Sequence, residues 1–179
     1  MHEEVFPELV EAYYAGLYRF ALSLTRSSAD ACDLTQQTFY IWATKGDSLR
    51  EATKAKSWLF TTLYREFLRG RRRDSRITAL EDLGPAEQDP ADPDVDVISK
   101  MDAQLVMEAL QEVDPVFREP LTLFYLQDLS YLEIAEILSV PIGTVMSRLS
   151  RGKTHLRACL AEKAKGGTVV EFPKARSRS

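Results

Sequence analysis

The sequence predicts an all-α protein made of two small helical domains joined by a flexible acidic linker. Apolar residues recur at three- and four-residue steps through most of the 179-residue chain, which is the period of amphipathic helices. A stretch near the middle combines prolines, glycine and acids without a helical period. The expected segments are 1–76 for the first domain, 77–100 for the linker, 101–163 for the second domain and 164–179 for a basic tail.

The first domain contains three amphipathic stretches. They cover residues 6–24, 31–44 and 57–72, and each carries one apolar face. Between the first two, Ser28 or Asp30 is available as a helix cap. We therefore expect three helices that bury their apolar faces against one another. The only strand-like pattern in the chain is the short run 168–172 in the tail.

The linker and the start of the second domain form a strongly acidic stretch. Residues 77–114 hold one Lys and eleven acids, and the linker also contains Pro85, Pro90 and Pro93. Proline breaks helices, and acids that repel one another extend a chain. These acids either keep the tether extended and soluble or contact the basic surfaces of the two domains when no DNA is bound; the sequence leaves both readings open.

The second domain is expected to form four helices, over residues 101–113, 115–126, 130–138 and 144–163. The last two have the spacing of a helix-turn-helix. Ser130 can cap the earlier helix, three residues before a glutamate that would complete a capping box. The intervening turn is short, as a helix-turn-helix requires.

The last helix has two different faces. Its apolar stripe consists of Val145, Leu149, Gly152, Leu156 and Leu160. The other side is polar and basic, and consists of Thr144, Ser147, Arg148 and Arg151, flanked by Lys153 and Arg157. A basic amphipathic helix on its own is more often a solvated surface. The capped helix and short turn before it favour a recognition helix that reads the major groove of DNA.

A second basic surface is expected in the first domain, because residues 54–76 hold eight Lys or Arg and two acids. Cations and aromatic rings alternate there, and binding of single-stranded DNA uses charge for the phosphates and rings for unstacked bases. The arginines are better explained by DNA contact than by solubility. Trp58 is better explained as core, because it lies on the apolar stripe.

The sequence gives no sign of catalysis, a bound cofactor or a membrane segment. No apolar run approaches the roughly 18 residues that a membrane span needs, and the acidic N-terminus lacks the order of a signal peptide. Cys32 and Cys159 are far apart and have no metal-binding spacing around them. We expect a cytoplasmic protein that is not an enzyme, with no metal, no disulfide and no cofactor.

Two segment pairs resemble the sigma-70 family of RNA polymerase sigma factors. Residues 33–39 (Asp-Leu-Thr-Gln-Gln-Thr-Phe) and 56–60 (Lys-Ser-Trp-Leu-Phe) are similar to the polymerase-binding and minus-ten-binding segments of that family. Residues 129–136 and 141–149 resemble its minus-thirty-five-binding domain. A short chain with only these domains, one sigma-two-like and one sigma-four-like, resembles the extracytoplasmic-function (ECF) subgroup.

The resemblance implies roles for matching positions. It implies contact with core RNA polymerase, through its largest-subunit clamp and its flap, and with promoter DNA, and it makes an anti-sigma factor a plausible further partner. The residues implied in clamp binding are Asp33, Gln36, Gln37 and Phe39. Those expected at the minus-ten element are Lys56, Trp58, Arg65, Arg69, Arg71, Arg72 and Arg73. Those expected at the minus-thirty-five element are Thr144, Met146, Ser147, Arg148, Arg151 and Lys153.

Two positions depart from the family pattern. Met146 stands where a basic residue is frequent, so a polar contact there is replaced by an apolar one. Arg65 stands where many members have an Asn, and Arg has no hydrogen-bond acceptor. Two other functions are compatible with the pattern: a stand-alone helix-turn-helix regulator that binds duplex DNA without polymerase, and a helical adaptor that binds an acidic protein.

Overall fold

The computed structural model describes residues 2–45, 52–74 and 101–166, and within these it contains seven α-helices and no strand. In chain order they are α1 (His2–Thr25), α2 (Ser28–Lys45), α3 (Ala55–Asp74), α4 (Ala103–Leu110), α5 (Pro115–Gln127), α6 (Tyr131–Leu138) and α7 (Ile142–Lys165), with a single 3-10 turn, Ala52–Lys54, before α3. The all-α prediction is confirmed. The linker from residue 77 to 100 and the strand-like run 168–172 lie outside the described residues.

The first domain is a three-helix unit in which α1 packs on both α2 and α3. Leu17, Phe20, Leu59, Phe60 and Leu63 are fully buried between α1 and α3. Burying a side chain of this size contributes about 1.5–3 kcal/mol. The periodic apolar faces read from the sequence are therefore the faces that form this core.

The turn between α1 and α2 differs in one detail from the expectation. Arg26 has a left-handed backbone, with φ 56°, which ends α1. The Ser27 Oγ accepts a hydrogen bond from the Asp30 N–H at 3.3 Å, so Ser27 caps α2, and neither Ser28 nor Asp30 does. The serine that caps the helix is one residue earlier than predicted.

The second domain holds α4 to α7, and α7 is its longest element. The α5 and α7 helices cross closely at Gly152. A Cβ atom at Gly152 would lie 2.8 Å from the Leu121 Cδ1 and 3.0 Å from the Phe117 Cβ. The Leu121 side chain and the Phe117 Cβ would both have to shift to admit a Cβ atom, so the close crossing favours glycine.

The helix-turn-helix formed by α6 and α7 has the predicted capping box. The Glu133 N–H donates to the Ser130 Oγ, and the Glu133 carboxylate accepts from the Ser130 N–H at 2.8 Å. Ser139 ends α6 with a left-handed backbone, φ 54°. These interactions set the short turn that leads into α7.

The two domains pack against each other, with α1 lying against α5 and α3 lying against α6. Among the described residues, three hydrogen bonds cross the boundary. The Lys56 Nζ donates to the Gln127 carbonyl oxygen at 2.6 Å, the Gln127 Nε2 donates to the Gly16 carbonyl oxygen at 3.2 Å, and the Tyr64 hydroxyl donates to the Glu119 Oε2 at 3.0 Å. We call this packing the closed arrangement.

Candidate nucleic-acid and polymerase interfaces

The predicted clamp-binding residues lie on α2. Asp33, Gln36 and Gln37 are exposed and form a polar surface. Phe39 is 6% exposed, and its ring stacks on Tyr14 with 6.2 Å between centroids. We expected Phe39 beside the amides on the surface, whereas it lies in the core of the first domain. The exposed aromatic of this helix is Tyr40, which is 64% exposed.

The predicted minus-ten surface lies on α3, where Arg65, Arg69, Arg71 and Arg72 are exposed. The Arg69 Nη1 forms an ion pair with the half-buried Glu66 at 3.1 Å. The Arg71 guanidinium lies 5.6 Å from the centre of the Phe67 ring. Arg73 belongs to α3, but its side chain lies outside the described part of the structure. A line of cations thus follows the outer face of this helix.

Lys56 and Trp58, at the start of α3, have different surroundings. The Trp58 ring packs edge-on against Trp42, with 5.1 Å between centroids, and is half-buried. This supports its interpretation as a core residue. The Lys56 ammonium is engaged by the Gln127 carbonyl of the second domain, so in the closed arrangement it contacts protein rather than a phosphate.

The predicted minus-thirty-five residues do not form an open surface in the closed arrangement. Thr144, Met146 and Arg151 are half-buried. Three further members of the set are buried, namely Ser147 at 5%, Arg148 at 8% and Lys153 at 5% exposure. We expected these three side chains to lie on or beside the solvent-facing side of α7. The expectation was wrong because helical periodicity describes one helix and takes no account of the residues packed against it.

The burial of Arg148 and Lys153 has two different causes. The Lys153 ammonium lies 5.6 Å from the centre of the Phe124 ring, a contact within the second domain. Arg148 instead faces the domain boundary. Burial raises the pKa of both Tyr64, on α3, and Glu119, on α5, and the charge of Arg148 opposes part of that rise. The Arg148 Nε has no hydrogen-bond partner among the described residues, and a buried guanidinium nitrogen in that state is costly.

Glu119 lies at the centre of the boundary between the domains. It was not among the residues predicted from the sequence. Burial raises the pKa of its carboxyl above the usual value, while the hydrogen bond from Tyr64 and the nearby arginines Arg148, Arg71 and Arg118 lower it. Burial likewise raises the pKa of the Tyr64 hydroxyl. The sequence signal available was a glutamate within α5, a helix whose other residues are mostly apolar.

A groove of about 690 Å³ lies between the two domains beside this cluster. It is lined from the first domain by Asp33 and Gln37 of α2 and Arg71 of α3, and from the second by Arg118 and Glu119 of α5. The predicted clamp-binding surface is thus continuous with the domain boundary. Sequence reasoning did not bring these surfaces together.

Neither a metal site nor a membrane span is found in the described segments. Across residues 2–45, 52–74 and 101–166, no three His, Cys, Asp or Glu side chains are grouped so that they would hold a metal ion. In the same ranges no helix has the length and apolar character to cross a bilayer.

Comparison with known families gives two matches, one in each domain. Residues 9–77 match the family Sigma-70 region 2, and residues 103–156 match the family Sigma-70, region 4. Together the two matches include every described helix, apart from residues 2–8 of α1 and 157–165 of α7.

Similar curated proteins are ECF RNA polymerase sigma factors. SigE of Mycolicibacterium smegmatis is 37% identical over 87% of this chain, although the chain spans only 61% of that protein's length. SigM of Bacillus subtilis is 31% identical, over 84% of this chain and 92% of its own length. SigL of Mycobacterium tuberculosis is 32% identical, over 86% and 88% respectively.

Two solved structures resemble the fold. The sigma factor RpoE of Bartonella quintana, in complex with the anti-sigma factor NepR, has a TM-score of 0.66 and 28% identity, covering 88% of this chain and 98% of RpoE. CnrH, in complex with the cytosolic domain of CnrY, has a TM-score of 0.60 at 20% identity, covering 89% of this chain and 90% of CnrH. At that identity the CnrH likeness concerns the fold alone.

Proposed function

Because the chain belongs to the ECF family of RNA polymerase sigma factors, we propose that it binds core RNA polymerase, directs it to promoter DNA and assists opening of the duplex. One observation carries this proposal. A Sigma-70 region 2 and a Sigma-70 region 4 occur in one chain, and each contributes a basic helix. A stand-alone helix-turn-helix regulator would not need the first of these domains and is not favoured.

Recognition of the minus-thirty-five element is proposed for α7. Its first turns carry Thr144, Met146, Ser147, Arg148, Arg151 and Lys153, and the capped α6 positions α7 as a recognition helix. Arg can pair bidentately with guanine, and the other polar side chains reach bases or phosphates. Contact by Arg148 requires that the domains separate from the closed arrangement, because Arg148 lies at their boundary.

Contact with the minus-ten element is proposed for α3. Its exposed arginines offer charge for the phosphates of an unpaired strand. Trp58 packs edge-on against Trp42 and supports the start of this helix from the core side. Lys56 becomes available for DNA when its hydrogen bond to Gln127 is released.

Docking on the clamp of polymerase is proposed for the exposed face of α2. Asp33, Gln36 and Gln37 supply polar groups, as the rim of a protein interface does. Phe39 supports this face from inside the first domain, by stacking on Tyr14.

Four coarser expectations complete the proposal. The proposed bounds are residues 1–76 for the first domain, 77–100 for the linker, 101–163 for the second domain and 164–179 for the tail. The protein acts in the cytoplasm, where RNA polymerase is, and it is a non-catalytic initiation factor, as its family is. An anti-sigma factor is a further partner, in line with the RpoE–NepR complex.

The test is in vitro transcription with purified core RNA polymerase from a bacterium that encodes the protein, on a promoter library. The wild-type chain is expected to direct initiation from a restricted set of sequences. Arg151→Ala should weaken this selection, because loss of one good bidentate base contact costs about 1–3 kcal/mol of discrimination. Lys165→Ala is the matched control, since Lys165 is a cation in the last turn of the same helix. Absence of specific initiation by the wild-type chain would overturn the proposal.

A further inference from the structure

The groove between the domains has the size and the walls of a site for a small organic molecule. Its volume of about 690 Å³ lies within the roughly 300–1,000 Å³ typical of ligand pockets. Leu24, Leu34 and Phe67 give it apolar walls. The Arg71 guanidinium, which also lines the groove, lies 5.6 Å from the centre of the Phe67 ring. A flat ring and a flat guanidinium together offer stacking surfaces for an aromatic ligand.

Two further arginines of the groove lie close to each other. Arg26 follows the end of α1 and is exposed, whereas Arg118 of α5 is 2% exposed. Burial lowers the pKa of Arg118, the charge of Arg26 lowers it further, and Glu119 and Asp114 oppose part of this. The two guanidinium groups are thus near enough to repel each other. An anion in contact with both would relieve that repulsion.

The hydrogen-bonding groups of this arginine pair are only partly used. The Arg118 Nη1 donates to the Gln111 carbonyl oxygen at 3.2 Å, and its Nε has no hydrogen-bond partner among the described residues. Within the same described segments, neither Arg26 nor Arg118 belongs to an ion pair. Guanidinium groups bind carboxylates and phosphates through two parallel hydrogen bonds, so the pair is chemically suited to either anion.

The acids that line the groove are engaged elsewhere or lie at its rim. Glu66 forms its ion pair with Arg69, and Glu119 accepts the hydrogen bond of the Tyr64 hydroxyl. The two remaining acids are exposed residues of α2, namely Asp30 and Asp33. The positive charge of Arg26 and Arg118 is therefore not matched inside the groove by a bonded carboxylate.

Gly70 keeps one wall of the groove clear. It lies within α3, lines the groove, and a Cβ atom added there would have no atom within 4 Å. Glycine weakens a helix relative to alanine, and no packing contact of the described residues calls for it here. A glycine does let a ligand approach the backbone closely. The groove thus has an open wall at a position where a side chain would favour the helix.

We propose that this groove binds a small aromatic anion, whose phosphate or carboxylate lies between Arg26 and Arg118 and whose ring packs on Phe67 and Leu34. Such a ligand contacts helices of both domains. Binding to the folded chain therefore raises its melting temperature. The site is a property of the free chain and does not depend on the proposed function.

The test is isothermal titration calorimetry of the full-length chain at fixed salt. Adenosine monophosphate is the phosphate probe and indoleacetate the carboxylate probe, and each is compared with its neutral counterpart, adenosine or indoleacetamide. At least one anion should bind about tenfold more tightly than its counterpart, which is the effect of one hydrogen bond between charged groups. The probe that shows this preference identifies the anionic group that the site accepts.

Two variants locate the site. Arg26→Gln should weaken binding of the anion about tenfold and leave the neutral counterpart unchanged, since it removes one charged contact. Arg19→Gln is its matched control, because Arg19 is a cation of α1 that does not line the groove.

Gly70→Trp should fill the groove and abolish binding of both the anion and its neutral counterpart. Gly143→Trp is the control, since a Cβ there also has no atom within 4 Å and Gly143 does not line the groove. Neither glycine position requires its neighbours to move, so both variants should keep the melting temperature of the free wild-type chain or exceed it.

Two results would overturn the proposal. In one, neither anion binds more tightly than its neutral counterpart. In the other, an anion binds equally well to wild type, Arg26→Gln and Gly70→Trp, which would place its site elsewhere. Polymerase and DNA are absent from these measurements, so a failure to direct initiation is detected separately, by the transcription experiment.

Discussion

Arg148 is a proposed base-reading side chain that is buried in this structure. As a base-reading side chain it must reach into the major groove, but in the closed arrangement it is 8% exposed, beside Tyr64 and Glu119. A buried guanidinium with an unbonded Nε gains hydrogen bonds when it meets DNA or water. Part of the cost of opening the domains is therefore offset at this residue.

For Arg148→Ala we expect a loss of promoter selectivity in the complex with polymerase, of about 1–3 kcal/mol at the base it contacts. If Arg148 meets only phosphate, binding should instead weaken equally on all sequences. Binding competition between promoter variants distinguishes the two. Lys165→Ala serves again as the control on the same helix, and unchanged selectivity in Arg148→Ala would remove this residue from the recognition set.

The buried carboxyl of Glu119 leads us to expect that the packing of the two domains depends on pH. Burial raises its pKa in the closed arrangement, and a carboxyl exposed by opening would have its ordinary pKa. The groups that face it are Tyr64, Arg148, Arg71 and Arg118. A raised pKa stabilises the closed form fully below the ordinary carboxyl pKa, and this contribution is lost as pH rises through the raised value.

The radius of gyration should therefore increase as pH rises through that window. Glu119→Gln cannot ionise and still offers Tyr64 an acceptor, so it should remain closed over the same range and bind free duplex more weakly than wild type. A pH response in Glu119→Gln as large as that of wild type would show that another group controls it.

At the scale of helices, the crossing of α5 and α7 depends on Gly152. Gly152→Ala places a Cβ 3.0 Å from the Phe117 Cβ, which cannot move without the α5 backbone. Overpacking of this kind costs about 1–3 kcal/mol, against about 1 kcal/mol gained in helix propensity. Chemical denaturation should show a lower free energy of unfolding. Gly143→Ala, where a Cβ has no neighbour within 4 Å, should show no such loss. If both variants lower the free energy of unfolding equally, the close contact at Gly152 is not the cause.

The capping box of α6 gives an independent prediction. Ser130→Ala should lower the free energy of unfolding by about 1 kcal/mol, and Ser130→Asp should recover most of it. The backbone hydrogen bond from Ser130 holds the pKa of Glu133 below its usual value. This contribution is present above the ordinary pKa and is lost as pH falls through the lowered one, so Glu133→Gln should flatten the acid limb of the stability profile. If Glu133→Gln loses stability at low pH as steeply as wild type, Glu133 is not the source of that loss.

The helices were predictable because each depends on neighbours in sequence. The apolar stripe of α7 and the Ser130 cap follow from periodicity and spacing, and both are confirmed. The Ser27 cap was missed by one residue, since several polar residues compete at that turn. Phe39 was placed on the surface because its neighbours are polar, although its position on α2 points into the core.

At the scale of the whole molecule, the packing of the two domains was not predictable from the sequence. The bond from Tyr64 to Glu119 joins residues 55 positions apart, and that from Gln127 to Gly16 joins residues 111 apart. Helical periodicity carries no information on such pairs. The DNA-binding side chains stay a prediction from the sequence, while the structure shows that Arg148 is buried and that Lys56 donates to the Gln127 carbonyl of the second domain.

Opening of a promoter by this chain and core RNA polymerase can be measured by permanganate reactivity of thymines near the start site, which reports unpaired bases, with purified core enzyme and no nucleotide present. We expect reactive thymines only when the chain and core polymerase are combined, and a weaker signal with Arg148→Ala than with Lys165→Ala. No opening by the combined proteins, or opening that requires nucleotide hydrolysis, would contradict the proposed function.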